Sequence, residues 1–218
     1  MNVFDIIGPI MIGPSSSHTA GAARLGRTAL KILGEKANYA LIEFSGSFAK
    51  TYKGHGTDKA IIAGILGFHS YDERIKDSLS IAKNNNLNYE IKTVQIPDTH
   101  PNTARMTLKG ENSECIVTGA SIGGGNILIT NINGLDVHFS GDHTTILVIH
   151  KDKAGAIAEV TNYIAKANVN ICGFNLGRNK KGGMALMTIE VDSEIPDSII
   201  QDFYKIESVI KVVLIKKL

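Results

Sequence analysis

Hydroxyl side chains and a histidine are concentrated near the beginning of the chain. The segment SSSHT, residues 15–19, is followed by two small residues. Apolar residues at helical spacing behind it predict a helix that begins at Ser17 or Thr19 and ends at Gly34. The free N–H groups and the positive dipole end of a helix start bind carboxylates and phosphates. We therefore expect an anion-binding site here; the alternative is a serine-rich N-cap without a ligand.

Two further short segments carry histidine in settings suited to proton transfer. His55 lies between two glycines, which predicts a loop with an adaptable backbone, and Asp58 follows three residues later and could orient the imidazole. Pro101 fixes a turn that presents His100 and Asn102. Each segment is a candidate for general acid–base chemistry, and the alternative for each is a plain surface turn.

Other sequence features give weaker signals. Residues 121–126, SIGGGN, resemble a phosphate-cradling glycine loop, including those that hold pyridoxal phosphate, but they lack the Gly-Lys-Ser/Thr ending of a nucleotide loop. A tight hairpin turn is the favoured interpretation. The seven histidines show no spacing typical of a helical zinc site.

The elements that must position these residues divide the chain near residue 142. Residues 1–142 have early helices and late strands, which favours an α+β domain over a doubly wound one. Residues 143–218 alternate as βαββαβ, the order of a ferredoxin-like sandwich. The predicted helices of the first part after Gly34 are 57–66 and 75–84, and its predicted strands are 39–45, 89–96, 104–108, 115–120, 126–130 and 136–139. In the second part we predict strands 144–150, 169–176, 184–191 and 209–215, with helices after residue 156 and from Pro196 to Tyr204.

Composition excludes several classes of function. The 218 residues carry 23 Lys plus Arg against 21 Asp plus Glu, and without a basic stripe nucleic acid is not expected as the partner. No apolar run approaches the roughly 18 residues of a membrane span. Asp5 and Gly8-Pro9 argue against a signal peptide, so a cytoplasmic location is expected. Two cysteines, Cys115 and Cys172, cannot form a disulfide framework or a cysteine-rich metal site.

At three motifs the sequence resembles a known family. GPSSSHTAGAARLGR, GHGTDKA and HPNT are similar to the β chain of iron–sulfur L-serine dehydratases, also called L-serine ammonia-lyases, and the segment from Thr145 onward resembles an ACT domain. The resemblance implies that residues 1–142 are similar to the allosteric substrate-binding domain of some phosphoglycerate dehydrogenases. It also implies conversion of L-serine to pyruvate and ammonia, a step linked to gluconeogenesis, together with an α chain.

The same resemblance assigns roles to residues of the three motifs. His55 is the first candidate for the catalytic acid or base, followed by His18 and His100, with Thr57 and Asn102 as hydrogen-bonding partners. The substrate-binding candidates are Ser15, Ser16, Ser17, Thr19 and Asp58.

The resemblance implies a four-iron four-sulfur cluster carried by the α chain. Such clusters are held by cysteine thiolates, usually four, or three when one iron stays open for chemistry. Two separated cysteines do not suffice, so no metal ligand is expected in this chain. An open iron would act as a Lewis acid on the serine hydroxyl.

The ACT resemblance predicts an effector site at His150, Asp152, Gly155 and Asn170. Asp152 stands where the pattern has Asn, and Ala154 where it has Pro. An ionised carboxylate only accepts hydrogen bonds, so a ligand would meet Asp152 with its ammonium group. A side-by-side contact between two β chains through their ACT domains is also expected. Dimerisation without a ligand is the alternative.

Two other functions stay open at this stage. The first is a non-catalytic protein that senses an amino acid through its ACT domain, which would leave the three motifs without a role. The second is a complete pyridoxal-phosphate serine dehydratase. That fold needs more than the roughly 140 residues outside the ACT domain, and no lysine motif indicates an internal Schiff base. Preference for serine over threonine is not decided by the sequence.

Overall fold

The computed structural model describes residues 10–217, except for the side chain of Asp197. Asp5 and Gly8-Pro9, on which the signal-peptide argument depends, lie outside the described residues. The chain forms two compact units that divide between Asn133 and Gly134, ahead of the boundary expected at residue 142. The first unit mixes helices and strands, and the second has the ferredoxin-like order of elements, so the predicted α+β class is confirmed.

The helices of the first unit begin with an irregular turn. Ser15 is the N-cap, because its hydroxyl accepts a hydrogen bond from the backbone N–H of His18, so the expected caps at Ser17 or Thr19 are wrong. The helix ends as predicted at Gly34, which adopts φ 86°. The helical elements are a π-helical turn (Ser16–Gly21), α1 (Ala22–Leu33), α2 (Gly46–His55), α3 (Thr57–Ile65), a 3₁₀ turn (Glu73–Asp77) and α4 (Ser78–Asn84).

Five strands of the first unit form one sheet in the order β2-β1-β3-β4-β5. β1 and β2 are parallel, and the other neighbours are antiparallel. The glycine segment after Ser121 is the turn of the β4–β5 hairpin, as predicted, with positive φ at its three glycines. The strands are β1 (Tyr39–Phe44), β2 (Asn88–Thr93), β3 (Thr103–Lys109), β4 (Glu114–Gly123) and β5 (Asn126–Ile132).

Helices α1 and α3 approach each other through glycine. A Cβ atom added to Gly64 would lie 2.1 Å from the carbonyl oxygen of Ala23, and one added to Gly26 would lie 2.3 Å from that of Ile61. Neighbouring alanines on both helices are fully buried. Backbone therefore packs directly on backbone, and this fixes α1 relative to α3.

The second unit contains a four-stranded antiparallel sheet in the order β10-β7-β9-β8. Its two helices cover one face, where Val148, Val160, Met187 and Phe203 contribute to the core. The bounds of β9 and β10 agree with the predicted strands. The elements are β6 (Leu135–Phe139), β7 (Thr144–Lys151), α5 (Ala156–Lys166), β8 (Ile171–Arg178), β9 (Met184–Val191), α6 (Asp197–Phe203) and β10 (Val209–Ile215).

Among residues 10–217, no helix has both the length and the apolar character that a membrane crossing requires.

Candidate functional site

The serine turn, residues 15–21, places a histidine at the start of α1. π-helical turns are uncommon and are often found at functional sites. The side chains of Ser15, Ser16 and Ser17 are half-buried. Thr19 is buried, and its side chain lies so close to Gly13 that a Cβ atom there would collide with it. The three serines can therefore reach a ligand, whereas Thr19 supports the turn from inside.

The His18 imidazole is held at both ring nitrogens. Nδ1 lies 3.2 Å from the Ser15 hydroxyl, and Nε2 lies 3.0 Å from the hydroxyl of Thr51 on α2. Thr51 in turn donates to the carbonyl oxygen of Ser47 at 2.8 Å. The ring also packs against Phe48, with 5.1 Å between ring centroids. One face of α2 thus orients the histidine of the serine turn.

His55 lies beside His18, with ring centroids 4.6 Å apart. It is the last residue of α2, and Gly56, with φ 68°, turns the chain into α3. The expected loop at this position is therefore wrong, because Gly54 lies within the helix. The imidazole of His55 is exposed. Burial, and second the neighbouring His55, lower the pKa of His18, which favours a neutral imidazole near neutral pH.

The two residues after Gly56 do not act on His55 as expected. The Asp58 carboxylate accepts a hydrogen bond from the backbone N–H of Lys59 at 2.8 Å, so the predicted orienting contact from Asp58 to His55 is not formed. Thr57 is fully buried at the start of α3. Within the described part of the chain its hydroxyl has no hydrogen-bond partner.

The third motif, HPNT, packs against the N-terminal end of α2, whereas His55 lies at its C-terminal end. The carbonyl oxygen of Pro101 accepts hydrogen bonds from the backbone N–H groups of Ser47 and Phe48 at 2.6 and 3.3 Å. Nδ1 of exposed His100 accepts from the backbone N–H of Asn102 at 3.1 Å. All three motifs therefore meet α2, but helix geometry places its two ends about 14 Å apart. The structure brings His18 and His55 together and leaves His100 at the other end.

Two residues of this region, Thr51 and Ser121, were not predicted from the sequence to belong to the site. Thr51 is four residues from His55, a helical spacing that becomes meaningful only once α2 is recognised. The sequence places Ser121 in the glycine segment 121–126, as part of a phosphate-cradling loop or of a hairpin turn, and not beside the serine turn. Its side chain is fully buried against Gly21, where a Cβ atom would lie 2.1 Å from the hydroxyl oxygen. In the described residues that hydroxyl has no partner. The backbone N–H of Ser121 donates to the carbonyl oxygen of Asn102 at 3.0 Å, and the side-chain amide of Asn102 donates to the carbonyl oxygen of Ser121 at 3.5 Å.

The side chains of this chain do not fit an iron–sulfur cluster. Cys115 is buried and contacts the carbonyl oxygen of Ala29, while Cys172 is exposed. Nowhere between residues 10 and 217 do three His, Cys, Asp or Glu side chains come together in a way that could hold a metal ion. The donor set that a cluster requires is absent from the described residues.

The predicted effector residues of the second unit separate into two places. His150 lies at the end of β7 with 2% of its surface exposed. Asp152 accepts hydrogen bonds from the side chain of Arg178 and from the backbone N–H of Gly182. The bond from Gly182, and to a smaller extent the bond from Arg178, lower the pKa of the Asp152 carboxyl. Asn170, the residue before β8, instead donates a hydrogen bond to the Asp192 carboxylate, at the end of the sheet opposite to His150. Within one chain, therefore, Asn170 and His150 do not form a single site.

Gly155, the remaining predicted effector residue, has φ 91° and precedes α5, with open space where a side chain would be. Two buried polar atoms lie at the same end of β7: Nε2 of His150 and the hydroxyl of Ser208 have no hydrogen-bond partner among the described residues. The backbone N–H of Lys151 donates to the carbonyl oxygen of Ser208, which joins the two strands here. Ser208 was not anticipated from the sequence.

The fold and the site together define a class of protein: an α+β unit with a serine–histidine helix start, followed by a ferredoxin-like unit of the ACT type. Residues 2–131 match the family described as "Serine dehydratase beta chain", and residues 146–211 match "AHAS small subunit-like ACT domain". The chain belongs to the serine dehydratase β-chain family.

Individual relatives agree with this assignment. The chain is 50% identical to the probable L-serine dehydratase, beta chain, of Bacillus subtilis, over 97% of this chain and 96% of the relative. It is 40% identical to the L-serine dehydratase, beta chain, of Peptoniphilus asaccharolyticus, over 91% and 90%. A D-3-phosphoglycerate dehydrogenase of B. subtilis is 24% identical over 89% of this chain, which corresponds to 37% of that enzyme.

Proposed function

We propose that this chain is the β chain of an L-serine dehydratase and that, with an α chain, it converts L-serine to pyruvate and ammonia. The observation that carries the proposal is the histidine pair: His18, bonded to Ser15, lies 4.6 Å from exposed His55, measured between ring centroids. Relatives named as L-serine dehydratase beta chains support the choice of substrate.

In this proposal His55 removes the α-proton of serine. Its imidazole is exposed, and within residues 10–217 neither ring nitrogen is hydrogen-bonded to protein, so a lone pair is available to a substrate. A neutral His18 beside it adds no like charge when His55 becomes protonated. Loss of the proton and of the hydroxyl, together one water, leaves aminoacrylate, which tautomerises to an imine and takes up one water to yield pyruvate and ammonia.

The serine turn binds the substrate carboxylate in this proposal. Its hydroxyls are only half-buried, and its position at the N-terminal end of a helix adds free N–H groups and a favourable dipole. Thr57 and Asn102 are the further hydrogen-bonding candidates, and Asp58 is a candidate partner for the substrate ammonium.

We assign the four-iron four-sulfur cluster to the α chain. The support is the poor fit of the present residues, since one cysteine is buried in the core and the other is exposed and alone. The β chain then contributes the histidine pair and the serine turn to a shared site. No step of the reaction is completed by this chain alone.

The test of the catalytic assignment is His55→Ala in enzyme reconstituted with the α chain. Loss of a general base lowers turnover by roughly two or more orders of magnitude. The matched control is His138→Ala, because His138 is an exposed histidine of the second unit. Near-normal turnover of His55→Ala with an intact cluster would remove His55 from the mechanism.

For the second unit we propose that an amino acid binds at the turn between β7 and α5. Nε2 of His150 and the hydroxyl of Ser208 have no partner in the part of the chain that the structure describes, and the helix start at Gly155 is open. These features favour a polar ligand. Pairing of two β chains through this unit is proposed as well.

Calorimetry of the chain with L-serine tests the binding, with His150→Phe as the variant in which the ligand site is blocked. Absence of heat at millimolar ligand would favour dimerisation without a ligand.

A further inference from the structure

We propose that Thr51 is a positioning residue that holds the His18 imidazole in its Nε2–H tautomer, so that Nδ1 is the proton acceptor for Ser15. The Thr51 hydroxyl contacts Nε2 of His18, and Thr51 acts on the reaction through that imidazole. The catalytic consequence rests on the proposed function, whereas the tautomer is a property of this chain alone.

The assignment follows from the number of protons available to Thr51. Its hydroxyl oxygen lies 2.8 Å from the carbonyl oxygen of Ser47, one helical turn earlier. Two oxygens approach this closely only with a proton between them, because both otherwise present lone pairs. The hydroxyl has one proton, and this contact uses it. Towards Nε2 of His18, 3.0 Å away, Thr51 can therefore only accept.

The state of the other ring nitrogen follows. A neutral imidazole carries one N–H, so a proton on Nε2 leaves Nδ1 with a lone pair. The Ser15 hydroxyl, 3.2 Å away, donates to that lone pair, while the same oxygen accepts from the backbone N–H of His18 at 3.3 Å. The direction of every hydrogen bond from Ser47 to Ser15 is thereby determined.

The lowered pKa of His18 keeps this arrangement in place near neutral pH, since it disfavours the imidazolium form that would carry both protons. The cause is first burial and second His55, which approaches from the end of α2. Thr51, Phe48 and Ser15, the other groups against the ring, carry no charge.

The network changes the role expected of Ser15. Its proton points to His18, so Ser15 cannot donate to a substrate carboxylate while His18 is neutral. We assign that donation to Ser16, Ser17 and the backbone of the serine turn. Ser15 offers its remaining lone pair to the substrate ammonium.

The test is ¹⁵N NMR of the imidazole nitrogens in the isolated full chain near neutral pH, with His18→Gln to identify the His18 signals. The wild type should show a protonated Nε2 and a bare Nδ1. Thr51→Val removes the acceptor with little change of shape and should lower the ratio of Nε2–H to Nδ1–H by roughly two- to twelvefold, the worth of one hydrogen bond. Thr51→Ser should restore the wild-type ratio.

The matched control is Thr161→Val. Thr161 makes the same hydroxyl contact one turn back on α5, to the carbonyl oxygen of Ile157 at 2.9 Å, and among the described residues its hydroxyl is bonded to backbone carbonyls and not to a histidine. A wild-type His18 protonated at Nδ1, or a ratio unchanged by Thr51→Val in a folded chain, would overturn the proposal.

Turnover with the α chain separates this proposal from the proposed function. Thr51→Val should lower kcat more than it changes KM, and Thr51→Ser should recover kcat. An altered tautomer with unchanged kcat would refute the catalytic consequence. A wild-type mixture that does not consume serine would contradict the proposed function and leave the NMR result standing.

Discussion

Replacement of Gly64 by Ala tests the close contact between α1 and α3. The added Cβ would lie 2.1 Å from the carbonyl oxygen of Ala23 and 2.9 Å from the backbone nitrogen of Arg27. Optimal separations of non-bonded heavy atoms are about 3.5–4.0 Å, so the helices must move apart by at least about 1 Å. Because the opposing atoms are backbone, no side-chain rotation relieves the clash.

The magnitude follows from two opposing effects. Overpacking of a core costs about 1–3 kcal/mol, and Ala in place of a helical Gly returns about 1 kcal/mol. A clash with backbone lies at the upper end, so Gly64→Ala should lose about 2 kcal/mol of unfolding free energy. Urea unfolding followed by circular dichroism measures this loss.

Gly54→Ala is the control for this prediction. Gly54 is also helical, and a Cβ there would meet nothing within 4 Å. This variant should be as stable as the wild type, or more stable by up to about 1 kcal/mol. Equal stability of Gly64→Ala and Gly54→Ala would refute the direct packing of backbone on backbone.

Three further predictions concern single side chains of the site. Ser121→Ala removes a buried hydroxyl that has no partner among residues 10–217, so unfolding by urea should show equal or higher stability, by about 1 kcal/mol; a clear loss would mean that the hydroxyl is bonded in the folded chain. Thr57→Val should likewise keep the melting temperature and, on the proposed function, lower serine turnover in the reconstituted enzyme; unchanged turnover would exclude Thr57 from the site. The lowered pKa of His18 means that protonation favours the unfolded chain, so its contribution to stability is present above about pH 6.5 and is lost as pH falls below it. Stability should therefore fall more between pH 7.5 and 5.5 in the wild type than in His18→Gln, and equal falls would contradict the lowered pKa.

Element types were predictable where the apolar pattern was strong. In the second unit the nearly continuous run of buried apolar residues along β9 and the short turns around it leave little choice of structure, and the βαββαβ order was predicted from them. The end of α1 at Gly34 was equally clear, because a left-handed glycine is a common helix stop.

Helix α2 was missed because its pattern is weak. Only Phe48 is buried along it, and glycines near its end indicate a loop. In the structure Gly54 continues the helix, and only Gly56 takes the left-handed conformation. Glycine permits such a turn but does not require it, so tertiary contacts decide which glycine is used.

The members of the candidate site were easier to predict than their arrangement. The motifs containing His18 and His55 could be chosen by residue type, but their contact depends on α2. Three neighbouring serines are all acceptable N-caps, so the choice of Ser15 required the structure. Thr51 looks like any helical threonine until its partner is known.

Serine turnover by separated and mixed chains tests the central claim, that this chain supplies one half of a shared site. When the chain is purified alone and then given iron and sulfide under anaerobic conditions, it should form no pyruvate from L-serine. Adding the α chain should start the reaction. Robust pyruvate formation by the chain alone would contradict the account.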